Sequence, residues 1–392
     1  MAASVEQHAS RVAELLRLEL GVEVIPVAAA LGRVTASAVL SPVDLPLFRN
    51  SQMDGFAVHA ADVAEIPATL PIVGEIAARA ANPAPLAPGT AVRIMTGAVV
   101  PEGADAVVPV EETTVTDDQV TITRSRSTGE FVRERGSDAL AGAELLPTGQ
   151  LLAARHLAVL AAAGLASVAV RSQPRVAVIT TGAELIDAGE TPLPGQIYDA
   201  NAVALIAAAT AAGALVTFAR RVVDEPAVLL AALSEAVSVA DVILTSGGIS
   251  HGDYEVVREL LEPRGAWVGH VAMQPGGPQA TATFEGVPVI CFPGNPVSTQ
   301  LSFEVFVTPV LRRVAGLPQA TRAPAELAVA VRSVSGKRQF LRGRRRDDGR
   351  VEPVAGPGSH LVAGLAASDV LIVIPEDTLE LDAGDAVEAW AL

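Results

Sequence analysis

Four acidic residues, Glu184, Asp224, Asp253 and Glu255, each follow a β-branched run and the loop that ends it. Two glycine-bearing loops hold the same kind of position: Ser246-Gly247-Gly248 after the run 241–245, and Pro293-Gly294-Asn295-Pro296 after the run 287–292. A strand-to-helix loop without Cβ atoms lets backbone N–H groups approach an anion closely. Carboxylates around such a loop would repel the anion unless a cation intervened. Oxygen ligands beside a phosphate suit Mg²⁺, which keeps several waters and takes one or two carboxylates. Glu184, Asp224 and Asp253 are the expected ligands. Each feature alone has a plainer reading. Glycines serve strand-to-helix turns on steric grounds, and an acid before a helix is often its N-cap. The convergence of all of them is what points to a site.

The elements that must position these residues alternate from about residue 174 onward. Runs at 175–180, 215–223, 241–245 and 287–292 read as strands, and 199–212, 226–239, 254–261 and 297–314 as helices. This predicts a doubly wound, mostly parallel sheet with helices on both faces, where ligands bind beyond the carboxyl ends of the strands. The loops TTGAEL, SGGIS and PGNP then share one edge. Residues 21–172 are rich in short β-like runs such as 91–96 and 106–110, with a helical piece at 153–163. The predicted organisation is a small mixed N-terminal domain (1–50 and 138–173), a β-rich inserted domain (51–137), the α/β domain (174–319), and a C-terminal β-barrel or sandwich (320–392).

Composition narrows the function. The chain has 392 residues, 44 acidic against 28 basic, for a formal net charge of −16. That balance disfavours nucleic acid as a partner. The single cysteine, Cys291, excludes an internal disulfide and a cysteine-rich zinc site, and its apolar run predicts an inert buried thiol. His251 and His270 lack metal-ligand spacing, and neither a Walker A loop nor GxGxxG is present. The N-terminal stretch reads as an amphipathic helix and not a signal peptide. The uncharged stretch 202–219 reads as a buried helix running into a strand, not a membrane span, so a cytoplasmic location is expected. The Arg338, Arg342 and Arg344–Arg346 run reads as a local basic patch or, more often for such a run, a solvent-facing strand edge.

Several segments fall in a specific order: LGRVTASAVLSPVDLPLFRNSQMDGFAV, RIMTGAVVPEGADAVV, RERGSDALAG, VITTGAEL, GQIYDANAVAL, DVILTSGGISHGDY, VAMQPGGP and FPGNPVS. Together they closely resemble the MoeA/gephyrin E-domain family, the molybdopterin molybdenumtransferases. The resemblance implies an enzyme that binds adenylylated molybdopterin and molybdate, inserts the metal, and releases AMP with Mg²⁺. It implies functional acids at Asp54, Asp138, Glu184, Asp224 and Glu255. Thr96, Arg135, Ser246, Gly247, Gly248, Asp253, Pro293, Gly294, Asn295 and Pro296 would contact substrate, with Arg342 and Ser359 reached from the C-terminal domain. It further implies a homodimer with the site between subunits, and the adenylyltransferase of the same pathway as a partner.

The chain departs from the family pattern at several places. His270, Gln274 and Gly277 stand where lysines are common, which removes charge-assisted contacts to an anion. Ala280–Thr283 replaces the usual glycine-phenylalanine, Glu255 an aspartate, and Ser137 an acid. The competing functions are a catalytically weakened pterin- or protein-binding scaffold, which the missing lysines favour, and adenylyl transfer onto molybdopterin, which the flanking MDG and MTGA segments disfavour.

Overall fold

The computed structural model describes residues 2–80, 82–249 and 255–392. The chain divides into two compact units, Met1–Val22 with Arg171–Leu392, and Glu23–Val170.

In the first unit, strands β1 (Arg175–Thr181), β2 (Leu215–Val222), β3 (Val242–Ser246), β4 (Trp267–His270), β5 (Pro278–Phe284) and β6 (Val287–Phe292) form one six-stranded sheet in the order β2-β1-β3-β6-β5-β4. The four strands expected from β-branched patterning pair in parallel. β5 and β4 extend the sheet as an antiparallel edge. Helices α1 (Ala200–Ala211), α2 (Pro226–Val237), α3 (Val256–Leu261), α4 (Pro296–Ser302) and α5 (Thr308–Ala315) complete the domain. Alternate residues of one strand feed opposite cores, as period-two side chains must. Val176 and Val178 join one cluster with Leu205, Phe292 and Phe306, and Ala177 and Ile179 join another with Leu229 and Leu233. The sheet is therefore covered on both faces, as expected. The segment expected as one helix over 297–314 is interrupted by a π-helical turn, Phe303–Val307. Such a turn inserts one residue without changing apolar periodicity enough to be seen in the sequence.

The N-terminal helix, Val5–Leu15, starts at a reciprocal cap: Ser4 Oγ accepts from Gln7 N at 3.1 Å, and Gln7 Oε1 accepts from Ser4 N at 2.9 Å. Its inward face carries Val5, His8 and Val12. The C-terminal residues are β-rich, built on Arg322–Glu326, Arg338–Arg345, Val370–Ile374 and Ala386–Ala391. Phe340, Leu371 and Trp390 from these strands share the first α/β core. Among the described residues, no helix is long and apolar enough to cross a membrane.

The second unit holds a six-stranded sheet in which Gly55–Val58 lies between Ala106–Pro109 and Ala91–Ile94. A separate core gathers Val27, Ala30, Leu146, Leu152, Leu160 and Val170 around the helix Ala154–Ala162. Gly55 is required by close approach. A Cβ there would lie 2.0 Å from the Val108 carbonyl oxygen.

Candidate active site

A cavity of about 380 Å³ opens at the carboxyl edge of the parallel strands. Thr181, Gly182 and Glu184 line it from the loop after β1, Asp224 from the loop after β2, and Ser246, Gly247 and Gly248 from the loop after β3. Glu255 closes one side before α3, and Gly294, Asn295 and Pro296 close another after β6. The loops expected to share an edge thus surround one space. Tyr198, Asp199 and Asn201, at the start of α1, line it as well.

Local geometry explains the residue types. Gly247 has φ +97°, and a Cβ there would lie 2.6 Å from the Thr181 carbonyl oxygen; Gly248 has φ +68°. Only glycine gives that backbone without strain and lets the loop lie against the end of β1. Asp224 Oδ2 accepts from Ala183 N at 3.1 Å, so it also braces the loop that carries Glu184. Asp199 caps α1 by accepting from Ala202 N at 3.0 Å, and its other oxygen accepts from the Thr180 hydroxyl. The amino-terminal ends of α1 and α4 are directed to this edge, where their partial positive charge offsets the acids.

The electrostatics of the cavity are one-sided. Glu184, Asp199, Asp224 and Glu255 line it, with no lysine or arginine among the described lining residues. The donors are hard carboxylate oxygens, which suit Mg²⁺ better than a soft metal. Among the described residues, no group of three or more His, Cys, Asp or Glu is gathered closely enough to enclose a metal. Glu184 and Asp224 are the lining carboxylates that would hold a Mg²⁺ there, chiefly through its waters. Asp253 lies outside the described residues.

The other expected site residues divide. In the second unit, Asp54 Oδ1 accepts from both Thr96 N (2.6 Å) and Thr96 Oγ1 (2.7 Å), so these two are brought together. Those bonds, the backbone one first, hold the exposed Asp54 carboxyl below the usual carboxylate range. Asp138 is exposed in the same unit, and its backbone N–H donates to the Leu45 carbonyl at 2.9 Å. Arg135 is turned to Asp44 in an ion pair at 2.7 Å.

Arg342, Pro293 and Ser359 stand outside the lining of this cavity. Arg342 does not line the cavity: it is 2% exposed and donates to the carbonyls of Gly356 and Gly358, bracing their loop. Pro293 is buried outside the lining, and its carbonyl accepts from Thr299 Oγ1 at 2.6 Å. Ser359 reaches the site region through its backbone, its carbonyl accepting from Val297 N at 3.1 Å at the start of α4. His270, Gln274 and Gly277, where lysines were missed, lie along β4 and the turn to β5 and do not line the cavity. Gln274 Oε1 accepts from Gln339 Nε2 at 2.7 Å.

Comparison with known proteins decides the family. Residues 3–164 match the MoeA N-terminal region (domain I and II), residues 177–313 a probable molybdopterin binding domain, and residues 324–392 the MoeA C-terminal region (domain IV). The chain belongs to the MoeA family. It is 41% identical over 403 residues to molybdopterin molybdenumtransferase 2 of Mycobacterium tuberculosis, covering 99% of both chains. It is 38% identical over 372 residues to the molybdopterin molybdenumtransferase of Nostoc sp., covering 90% of this chain and 85% of that one. Among solved structures, the molybdopterin biosynthesis MoeA protein of Pyrococcus horikoshii superposes with a TM-score of 0.81 at 33% identity, covering 100% of this chain and 99% of the other. Within the MoeA architecture the cavity falls entirely in the segment matched to the molybdopterin binding domain.

Proposed function

We propose that the chain is a molybdopterin molybdenumtransferase. It inserts molybdenum from molybdate into adenylylated molybdopterin and releases AMP. The observation that carries this reading is the cavity ringed by Ser246-Gly247-Gly248, Gly294-Asn295, Glu184, Asp224 and Glu255 at the strand ends, in a chain of full MoeA organisation. Backbone groups of the two glycine loops hold the substrate, with Pro296 at the start of α4 beside them. Glu184 and Asp224 would hold Mg²⁺, with Asp253, outside the described residues, as the further expected ligand. When bound, Mg²⁺ polarises the phosphoanhydride. Asp54, Thr96, Asp138 and Arg135 belong to the same reaction, and we assign the complete site to the interface of a homodimer in the cytoplasm. Arg342 acts indirectly, by shaping the loop that carries Ser359. The adenylyltransferase that makes the substrate is the expected partner.

The test incubates purified protein with adenylylated molybdopterin, Mg²⁺ and molybdate, and measures AMP and active cofactor. Both should form, and chelation of Mg²⁺ should stop AMP release. Absence of both products with folded protein would remove the proposal. Light scattering after gel filtration tests the dimer.

A further inference from the structure

Asn201 is the second residue of α1 and only 7% exposed. Its Nδ2 donates to Ser246 Oγ at 2.8 Å and to the Gly294 carbonyl at 2.7 Å. Ser246 ends β3 and Gly294 lies in the loop after β6, so one amide spans both glycine loops. The orientation of the amide is forced, because the Gly294 carbonyl can only accept. That leaves Asn201 Oδ1 buried and without a partner among the described residues.

The bonding continues beyond Asn201. Ser246 Oγ lies 3.2 Å from Thr299 Oγ1, which donates to the Pro293 carbonyl at 2.6 Å. The two loops are already close, since a Cβ on Gly294 would lie 3.5 Å from Gly247 Cα. The β3–β6 ladder brings the strand ends together, with Gly247 N donating to the Phe292 carbonyl at 3.1 Å, and the Asn201 amide is the side-chain link between the loops beyond that ladder. We infer that Asn201 is a positioning residue for the reaction, fixing the spacing of Ser246-Gly247-Gly248 and Gly294-Asn295 against the substrate. This rests on reading the cavity as the substrate site.

The experiment compares wild type with Asn201→Ala and Asn201→Asp for AMP release across a range of adenylylated molybdopterin concentrations, with thermal unfolding in parallel. KM should rise about tenfold or more in Asn201→Ala, as expected of a displaced binding loop, with a smaller change in kcat. Asn201→Asp should be worse at neutral pH, because a carboxylate then faces the Gly294 carbonyl. It should recover as pH falls and a protonated carboxyl restores one donor. A KM within about twofold of wild type, with kcat lowered only in proportion to folded protein, would overturn the inference. Should Asn201→Ala fail to fold, Asn201→Ser is measured in its place. If wild type itself shows no turnover, the proposed function fails separately. Calorimetric binding of AMP then decides: weakened binding in the variant supports the positioning role, and unchanged binding removes it.

Discussion

At Asp54, one carboxylate oxygen takes both donors of Thr96, and this sets up a clean separation of charge from shape. In Asp54→Asn the amide oxygen can accept the same two bonds, so the melting temperature should hold while AMP release falls by about a hundredfold or more. A fully active variant would show that the charge is not used. Because Thr96 keeps the Asp54 pKa low, the carboxylate persists at a pH where an ordinary aspartate is protonated. Thr96→Val removes the hydroxyl bond, lets that pKa rise, and should move the acid limb of the pH–rate profile upward. Cys291 makes the opposite case. Burial pushes its thiol up to about 12, so it is neutral and shielded at pH 7. A thiol reagent should label it only in denaturant, and rapid labelling of native protein would contradict its burial. Its inertness was legible from the apolar run around it. The role of Asn201 was not, because a neutral amide at the start of a helix carries no charge or spacing signal. Arg342 differs from its pattern for the converse reason: a run of arginines reads as a solvent-facing strand edge, yet this side chain is 2% exposed and donates to two carbonyls.

Among elements, the loop after β3 is the most constrained. Gly247 and Gly189 have the same φ of +97°, but a Cβ on Gly189 meets nothing within 4 Å, whereas one on Gly247 meets the Thr181 carbonyl at 2.6 Å. Gly189→Ala should therefore show backbone strain alone, about 1 kcal/mol. Gly247→Ala adds a backbone collision and should lose about 3 kcal/mol or more, together with ligand binding. Equal unfolding midpoints for the two variants would refute the collision. The parallel strands and their helices were readable because β-branched runs alternate with longer alanine- and leucine-rich stretches. The antiparallel edge was not. Trp267–His270 contains a glycine and a histidine, and Pro278–Phe284 is interspersed with threonine, so neither presents a clean apolar run. Both strands are stabilised by their neighbours rather than by their own pattern.

For the molecule as a whole, the N-terminal helix is tied to the α/β core by His8, whose ring packs edge-on to Phe306 at 4.6 Å and against Trp267 at 5.1 Å. Both ring nitrogens are buried without partners among the described residues, and burial, reinforced by Arg11, lowers its pKa to about 3. The folded state thus binds a proton less readily than the unfolded one. Its contribution is fully present above the unfolded pKa of about 6.5 and is lost as pH falls toward the folded value. Between pH 7 and 5 the loss should be about 2 kcal/mol. Urea unfolding of His8→Phe should show a shallower acid dependence than wild type, and identical slopes would remove His8 as the cause. The two-unit organisation was only partly legible, since the shared core of Phe340 and Trp390 with the α/β domain is a long-range contact invisible to local pattern. One link in that shared architecture has a dynamic consequence. The Val297 amide at the start of α4 donates to the Ser359 carbonyl, in the loop that Arg342 holds. Its deuterium uptake should therefore follow the opening of a remote loop rather than the fraying of its own helix. A single slow proton beside the cavity becomes a reporter for the C-terminal strands.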